Sequence, residues 1–117
     1  MRTAVVLFLL AACTSAEQDR ISRTVVLTVE NETGGQMWEF DYRECGSSQW
    51  FYVIDSDEYV ANGDPVSTRE LSPGCYELYV EDEYGCYADT DTDGNVKGGQ
   101  EFTWTVRGAD MVCYGFF

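Results

Sequence analysis

The chain has 117 residues, enough for one domain and too few for a large core plus a second. Hydrophobic residues make up 44% and aromatic residues 15%, more apolar surface than a disordered chain carries. A net charge of −14 opposes nucleic acid and anionic lipid, and the lack of any histidine removes the Ser-His-Asp and Cys-His arrangements and most zinc chemistry.

At the N-terminus, Arg2 precedes an apolar run from Ala4 to Ala12. The run is too short to span a bilayer, which takes about 20 residues. It fits the apolar region of a secretory signal. Two cleavage points compete. Leu10-Ala11-Ala12-Cys13 resembles a bacterial lipobox, and that resemblance implies cleavage before Cys13 and a lipid on its sulfur. Thr14-Ser15-Ala16 before Glu17 is an ordinary small-x-small site. The lipobox is the preferred reading. With Thr14 after the cysteine there is no acidic retention signal, so the expected destination is the outer membrane or cell surface, with simple secretion as the alternative. Residues 1–16 are thus the targeting segment, 17–22 a polar tether, and 23–117 the folded domain.

Beyond the tether, alternation with a period of two dominates and predicts strands. Val25, Leu27 and Val29 share one face. Trp38, Phe40 and Tyr42 alternate with Glu39, Asp41 and Arg43. The stretch QWFYVID is apolar on both faces and reads as a central strand between two layers. Weaker strands fit 58–61 and 66–71. Tyr76, Leu78 and Val80 oppose Glu77, Tyr79 and Glu81, and Phe102, Trp104 and Val106 form a late strand. Glu83 to Gln100 reads as one long loop. Such loops in compact domains are functional or disordered, and Cys86 within it argues for order. About eight short strands separated by Gly, Pro, Asn and Asp turns predict an all-β fold, an antiparallel β-sandwich of jelly-roll or Greek-key type.

Cys45, Cys75, Cys86 and Cys113 remain once Cys13 is set aside, an even number that reads as two disulfides in an exported chain. Of the three connectivities, Cys45–Cys75 with Cys86–Cys113 is preferred. Joining Cys75 to Cys86 would bridge opposite ends of one extended strand, roughly 20 Å apart. A zinc site from all four thiolates lacks any C-x-x-C pair.

Within the long loop, Asp89, Asp91 and Asp93 alternate and Gly94 follows. Close like charges repel by about 1 kcal/mol per pair even in water, so the crowding predicts a cation partner. The pattern resembles the D-x-D-x-D-G loops of EF-hand and dockerin proteins. The resemblance implies calcium held by Asp89, Asp91, Asp93 and the Asn95 carbonyl, with Val96 packing inward. Gln100 replaces the usual bidentate Glu, so Glu101 and Asp82, with its neighbours Glu81 and Glu83, are the candidates to complete the shell. The expected affinity is weak, on the order of 10⁻⁴ to 10⁻³ M.

The run Pro73-Gly74-Cys75-Tyr76-Glu77-Leu78-Tyr79-Val80-Glu81-Asp82-Glu83-Tyr84-Gly85 resembles the P-x-G-C-Y…D-x-Y-G motif of secreted, CUB-like β-sandwich modules. Gly34, Gly35, Trp38 and Phe40 resemble their upstream part. This chain lacks the residue between proline and glycine, and Cys86-Tyr87-Ala88 stands where members continue with Asp-Gly. The resemblance implies an exported surface module with no catalytic set.

Function is therefore read as non-catalytic: a calcium-binding surface module for adhesion or ligand binding, its partner a glycan or a cell-surface protein and its only membrane contact the lipid. Phe51, Tyr79, Tyr87 and Tyr114 are the candidate sugar platform; Trp38, Trp50 and Trp104 are assigned to the core. The rival classes are a purely structural surface protein and a small glycoside hydrolase using paired carboxylates. For the hydrolase, Glu30 with Glu32, Asp55 with Asp57 and Glu58, or Glu81 with Glu83 have the spacing. Asn31-Glu32-Thr33 is a glycosylation sequon only in a eukaryotic source.

Overall fold

Side-chain alternation builds seven strands within residues 23–114, the part of the chain that the computed structural model describes. They are β1 (Val26–Glu32), β2 (Met37–Glu44), β3 (Phe51–Tyr52), β4 (Pro65–Ser67), β5 (Tyr76–Asp82), β6 (Tyr87–Asp91) and β7 (Glu101–Arg107). The lipobox with Cys13, the competing site at Ala16 and the tether lie outside the described residues.

The strands form two sheets, ordered β4-β1-β7 and β3-β2-β5-β6. Four of the five strand pairs are antiparallel; β1 and β7 run parallel. The inward faces meet as a sandwich. Leu27, Val29 and Val106 come from one sheet, and Met37, Phe40, Leu78 and Val80 from the other, all fully buried. Each such side chain stabilises the fold by about 1.5–3 kcal/mol on transfer from water. The expected all-β sandwich is therefore what the chain adopts. The outward face of the first sheet is polar. There Thr28 Oγ1 donates to Glu101 Oε1 at 2.6 Å and Thr105 Oγ1 to Glu30 Oε2 at 3.2 Å.

Both disulfides have the preferred connectivity. Cys45–Cys75 ties the end of β2 to the start of β5, and Cys86–Cys113 ties the start of β6 to the C-terminal segment. They mark an oxidising compartment as the place where the domain matures. Among the described residues no helix is long and apolar enough to cross a membrane.

Several elements differ from the sequence reading. QWFYVID is not a central strand. Only Phe51 and Tyr52 pair, at the sheet edge, and both are exposed. An apolar run looks the same whether it lies between two layers or forms an aromatic rim. The weak strands shrink to β4 and to single bridges, Met37 to Val60 and Val25 to Leu71. Residues 83–100 are not one loop, because β6 pairs with β5 along its whole length. Its polar residues masked the alternation, since only Ala88 of β6 is buried.

Asn31 is fully buried at the end of β1. Its Nδ2 donates to the Gly35 and Val60 carbonyls, each at 2.9 Å, and its Oδ1 accepts from the Thr33 amide and hydroxyl. Every polar group of this side chain is taken up by the β1–β2 turn and by the Val60 carbonyl, so the sequon is not accessible to a glycan.

Candidate functional site

With Phe40, Tyr42, Leu78 and Val80 committed to the core, the residues between them point outward from the second sheet. Strand register sets them in rows. Tyr52, Asp41, Tyr79 and Asp89 form one row, Glu39, Glu81 and Tyr87 the next, and Arg43, Glu77 and Asp91 a third. The face thus carries tyrosines and carboxylates side by side, with a single arginine. That arginine is engaged: Arg43 Nε donates to Glu77 Oε2, and its guanidinium lies 4.4 Å above the Trp50 ring centre.

An aromatic ladder crosses the face. Trp50 meets Tyr79 edge-on at 6.4 Å, Tyr79 stacks on Tyr87 at 6.0 Å, and Tyr87 meets Tyr114 at 5.4 Å. Such ring pairs contribute about 0.5–1.5 kcal/mol beyond burial. The C-terminal segment supplies the last ring because Val112 bridges to Tyr87 and Cys113 is bonded to Cys86. Three of the four predicted platform residues, Tyr79, Tyr87 and Tyr114, are brought together. Phe51 is not; it stacks on Tyr42 at 5.3 Å, on the core-facing side.

Beside the ladder lies a cluster of three carboxyls, Glu39, Asp41 and Glu81. No lysine or arginine among the described residues pairs with them. Asp41 is only 6% exposed, and its Oδ1 has no hydrogen-bond partner. Burial pushes the Asp41 carboxyl up to about 7, helped by the charges of Glu39 and Glu81. Burial, with Glu81 beside it, also raises Glu39. Tyr79 is raised by burial and by Glu81, whose Oε2 accepts its hydroxyl proton at 3.1 Å.

Next to the cluster a cleft of about 750 Å³ opens between β2, the end of β5 and the chain after β3. Trp38, Glu39, Tyr52, Ile54, Glu81 and Glu83 line it. A β-bulge between Met37 and Glu39 puts Trp38 and Glu39 on the same outward side, between the buried Met37 and Phe40. Trp38 is accordingly 53% exposed rather than in the core, and Trp50 lies on the outward face; Trp104 does pack against the core. Sequence reasoning missed this cleft. The alternation of Glu39 and Asp41 signalled an acidic outward face, but nothing in the residue order marks the bulge.

The predicted calcium ligands are spread over three elements. Asp89 and Asp91 are alternate outward residues of β6. Asp91 Oδ1 accepts the Asp93 amide, and Asp93 and Gly94 turn the chain with φ of 51° and 103°. Asn95 is exposed just beyond, and Val96 is buried as expected. Asp82 instead caps the β5–β6 turn, its Oδ1 accepting the Tyr84 and Cys86 amides. Glu101 accepts Thr28 across the other sheet. Among the described residues no three His, Cys, Asp or Glu side chains converge in a way that holds a metal ion.

No protein-family model matches the chain, and no curated protein matches it in sequence.

Proposed function

We propose that the chain is an exported, non-catalytic recognition module, anchored at the cell surface by lipid on Cys13, that binds glycans on the outward face of its second sheet. The aromatic ladder Trp50–Tyr79–Tyr87–Tyr114 carries this reading. Sugar rings present C–H faces that stack on aromatic rings and hydroxyls that donate to carboxylates. Asp89 and Glu81 stand beside the ladder to accept such bonds. Neutral sugars are also indifferent to a charge of −14. Weak calcium binding by Asp89, Asp91, Asp93 and Asn95 belongs to the same proposal and rests on their order in the chain.

The test is a glycan array with and without millimolar calcium, followed by titration of any hit into Tyr87→Ala and Tyr114→Ala. Each variant is expected to weaken binding by about tenfold, the equivalent of one lost stacking contact. An array on which no glycan binds removes the reading. Intact mass of the native protein reads the lipid on Cys13 directly.

A second reading, a small glycoside hydrolase, draws on one observation. Glu39 and Glu81, partners in register on β2 and β5, both line the cleft and form a pair of carboxyls there. Glycoside turnover abolished by Glu81→Gln would favour it over recognition.

A further inference from the structure

We infer that the open edge of β7 pairs with β7 of a second copy of this chain, antiparallel and centred on Trp104, to form a symmetric dimer. The site is on the first sheet and does not depend on the glycan reading of the second. Unpaired sheet edges invite another strand, and proteins blunt them with short strands, proline, charges or a covering segment. Among the described residues three of the four edges are blunted so. β3 has two residues, and β4 has three and begins with Pro65. β6 carries Asp89 and Asp91, and its Tyr87 exchanges backbone bonds with Val112. The fourth edge, β7, has seven residues with no proline or glycine and no charge between its two ends.

The hydrogen bonds of β1 fix which groups of β7 face outward. Val25 exchanges bonds with Leu71, Leu27 accepts the Thr68 amide, and Asn31 bonds with Asp64 and Gly63. The odd-numbered residues of β1 therefore face β4, and the even-numbered ones face β7. With Val26 opposite Glu101 in a parallel ladder, Phe102, Trp104 and Val106 bond back to β1. The N–H and C=O groups of Glu101, Thr103, Thr105 and Arg107 then point to the open edge. The Arg107 amide agrees, since it donates to Asp110 Oδ2 at 2.9 Å and not to β1. Among the described residues no strand pairs with the outer side of Thr103 and Thr105.

The sequence of β7 makes a second copy the fitting occupant. In the antiparallel register centred on Trp104, Thr103 lies opposite the partner's Thr105, and the two exchange N–H and C=O groups. Glu101 lies opposite the partner's Arg107, and the two-fold axis repeats the pair. Sliding the strands by two residues loses both charge pairs. Sliding by one sets outward groups against residues that bond back to their own sheet. Both charged side chains have capacity for the contact. Glu101 accepts Thr28 through Oε1 alone, and exposed Arg107 has only a loose contact with Glu32, Nε to Oε2 at 3.9 Å. On the inner side the half-buried rings of Phe102 and Trp104 gain cover from the added strand. The two three-stranded sheets become one. The −14 charges on each copy oppose this approach at long range, and salt near 0.15 M screens them beyond about 8 Å. One strand edge is a small interface, so the expected dissociation constant is on the order of 10⁻⁴ M.

The test is sedimentation equilibrium of the oxidised, exported chain from about 0.01 to 1 mM in about 0.15 M sodium chloride, with density-matched detergent where lipid is attached. A monomer–dimer equilibrium is expected. Thr105→Pro deletes an outward N–H and no bond to β1, a place where edge strands tolerate proline, and is expected to leave only monomer. Glu101→Arg sets arginine against arginine. It is expected to weaken the dimer by about tenfold although it lowers the net negative charge. Adding Arg107→Glu to it restores opposite charges at the original net charge and is expected to recover the dimer. Near-ultraviolet circular dichroism reports whether each variant is folded, and the charge reversal with its repair stands without the proline variant. A monomer throughout the concentration range, a dimer unchanged in folded Thr105→Pro, or a dimer tightened by Glu101→Arg overturns the proposal.

Discussion

Asp41 is an acid held where a charge is costly, and its proton follows from that. In the unfolded chain it titrates near 4, whereas in the fold it titrates at about 7. Between those values the folded chain keeps a proton that the unfolded chain has lost. Stability therefore falls as pH rises from about 4 to about 7 and stays lower above. Asp41→Asn removes the charge while keeping the side chain's size. It is expected to stabilise the domain by about 1–2 kcal/mol at pH 8 and by little below pH 4, read as urea midpoints across pH. Asn31 is the opposite case, a buried polar side chain with its groups satisfied. Asn31→Ala orphans two backbone carbonyls and is expected to cost about 2–4 kcal/mol by the same measurement. Neither property was legible in the residue order. Asn31 reads as a sequon and Asp41 as one acid of a solvated face; burial decides otherwise in both.

At the scale of elements, β6 answers why aspartates crowd near Asp89. On a strand, Asp89 and Asp91 stand about 7 Å apart, so their repulsion is modest in water, and Asp93 turns away beyond the strand end. A cation is not required to make the spacing tolerable. β1, β2, β5 and β7 were legible because one face of each is apolar at every second residue. β6 was not, because it buries only Ala88 of its five residues. The segment after β7 shows a different dependence. Its Val112 and Cys113 anchors carry Tyr114 to the ladder. Replacing Cys86 and Cys113 together by serine opens a loop closed by a bond between residues 27 apart. A loss of about 3–4 kcal/mol in stability is expected from a thermal melt. The aromatic near-ultraviolet circular dichroism of the Tyr87–Tyr114 pair should fall even where the variant remains folded.

The whole molecule carries −14 charges on one small domain, and they repel one another in the compact state. Raising sodium chloride from about 0.05 to 0.5 M screens that repulsion and is expected to raise the melting temperature by several degrees. A flat profile would show that the charges are already well separated. What the sequence by itself determined is the all-β class, the inward faces of β1, β5 and β7, the oxidised cysteines and the acidic character, because alternation, cysteine count and net charge are local or additive properties of the chain. Only the tertiary structure decided which acids meet, which aromatic rings stack and where a cleft opens. Those depend on strand register and on a single bulge beside Trp38, which bring together residues distant in the chain and which no local pattern encodes.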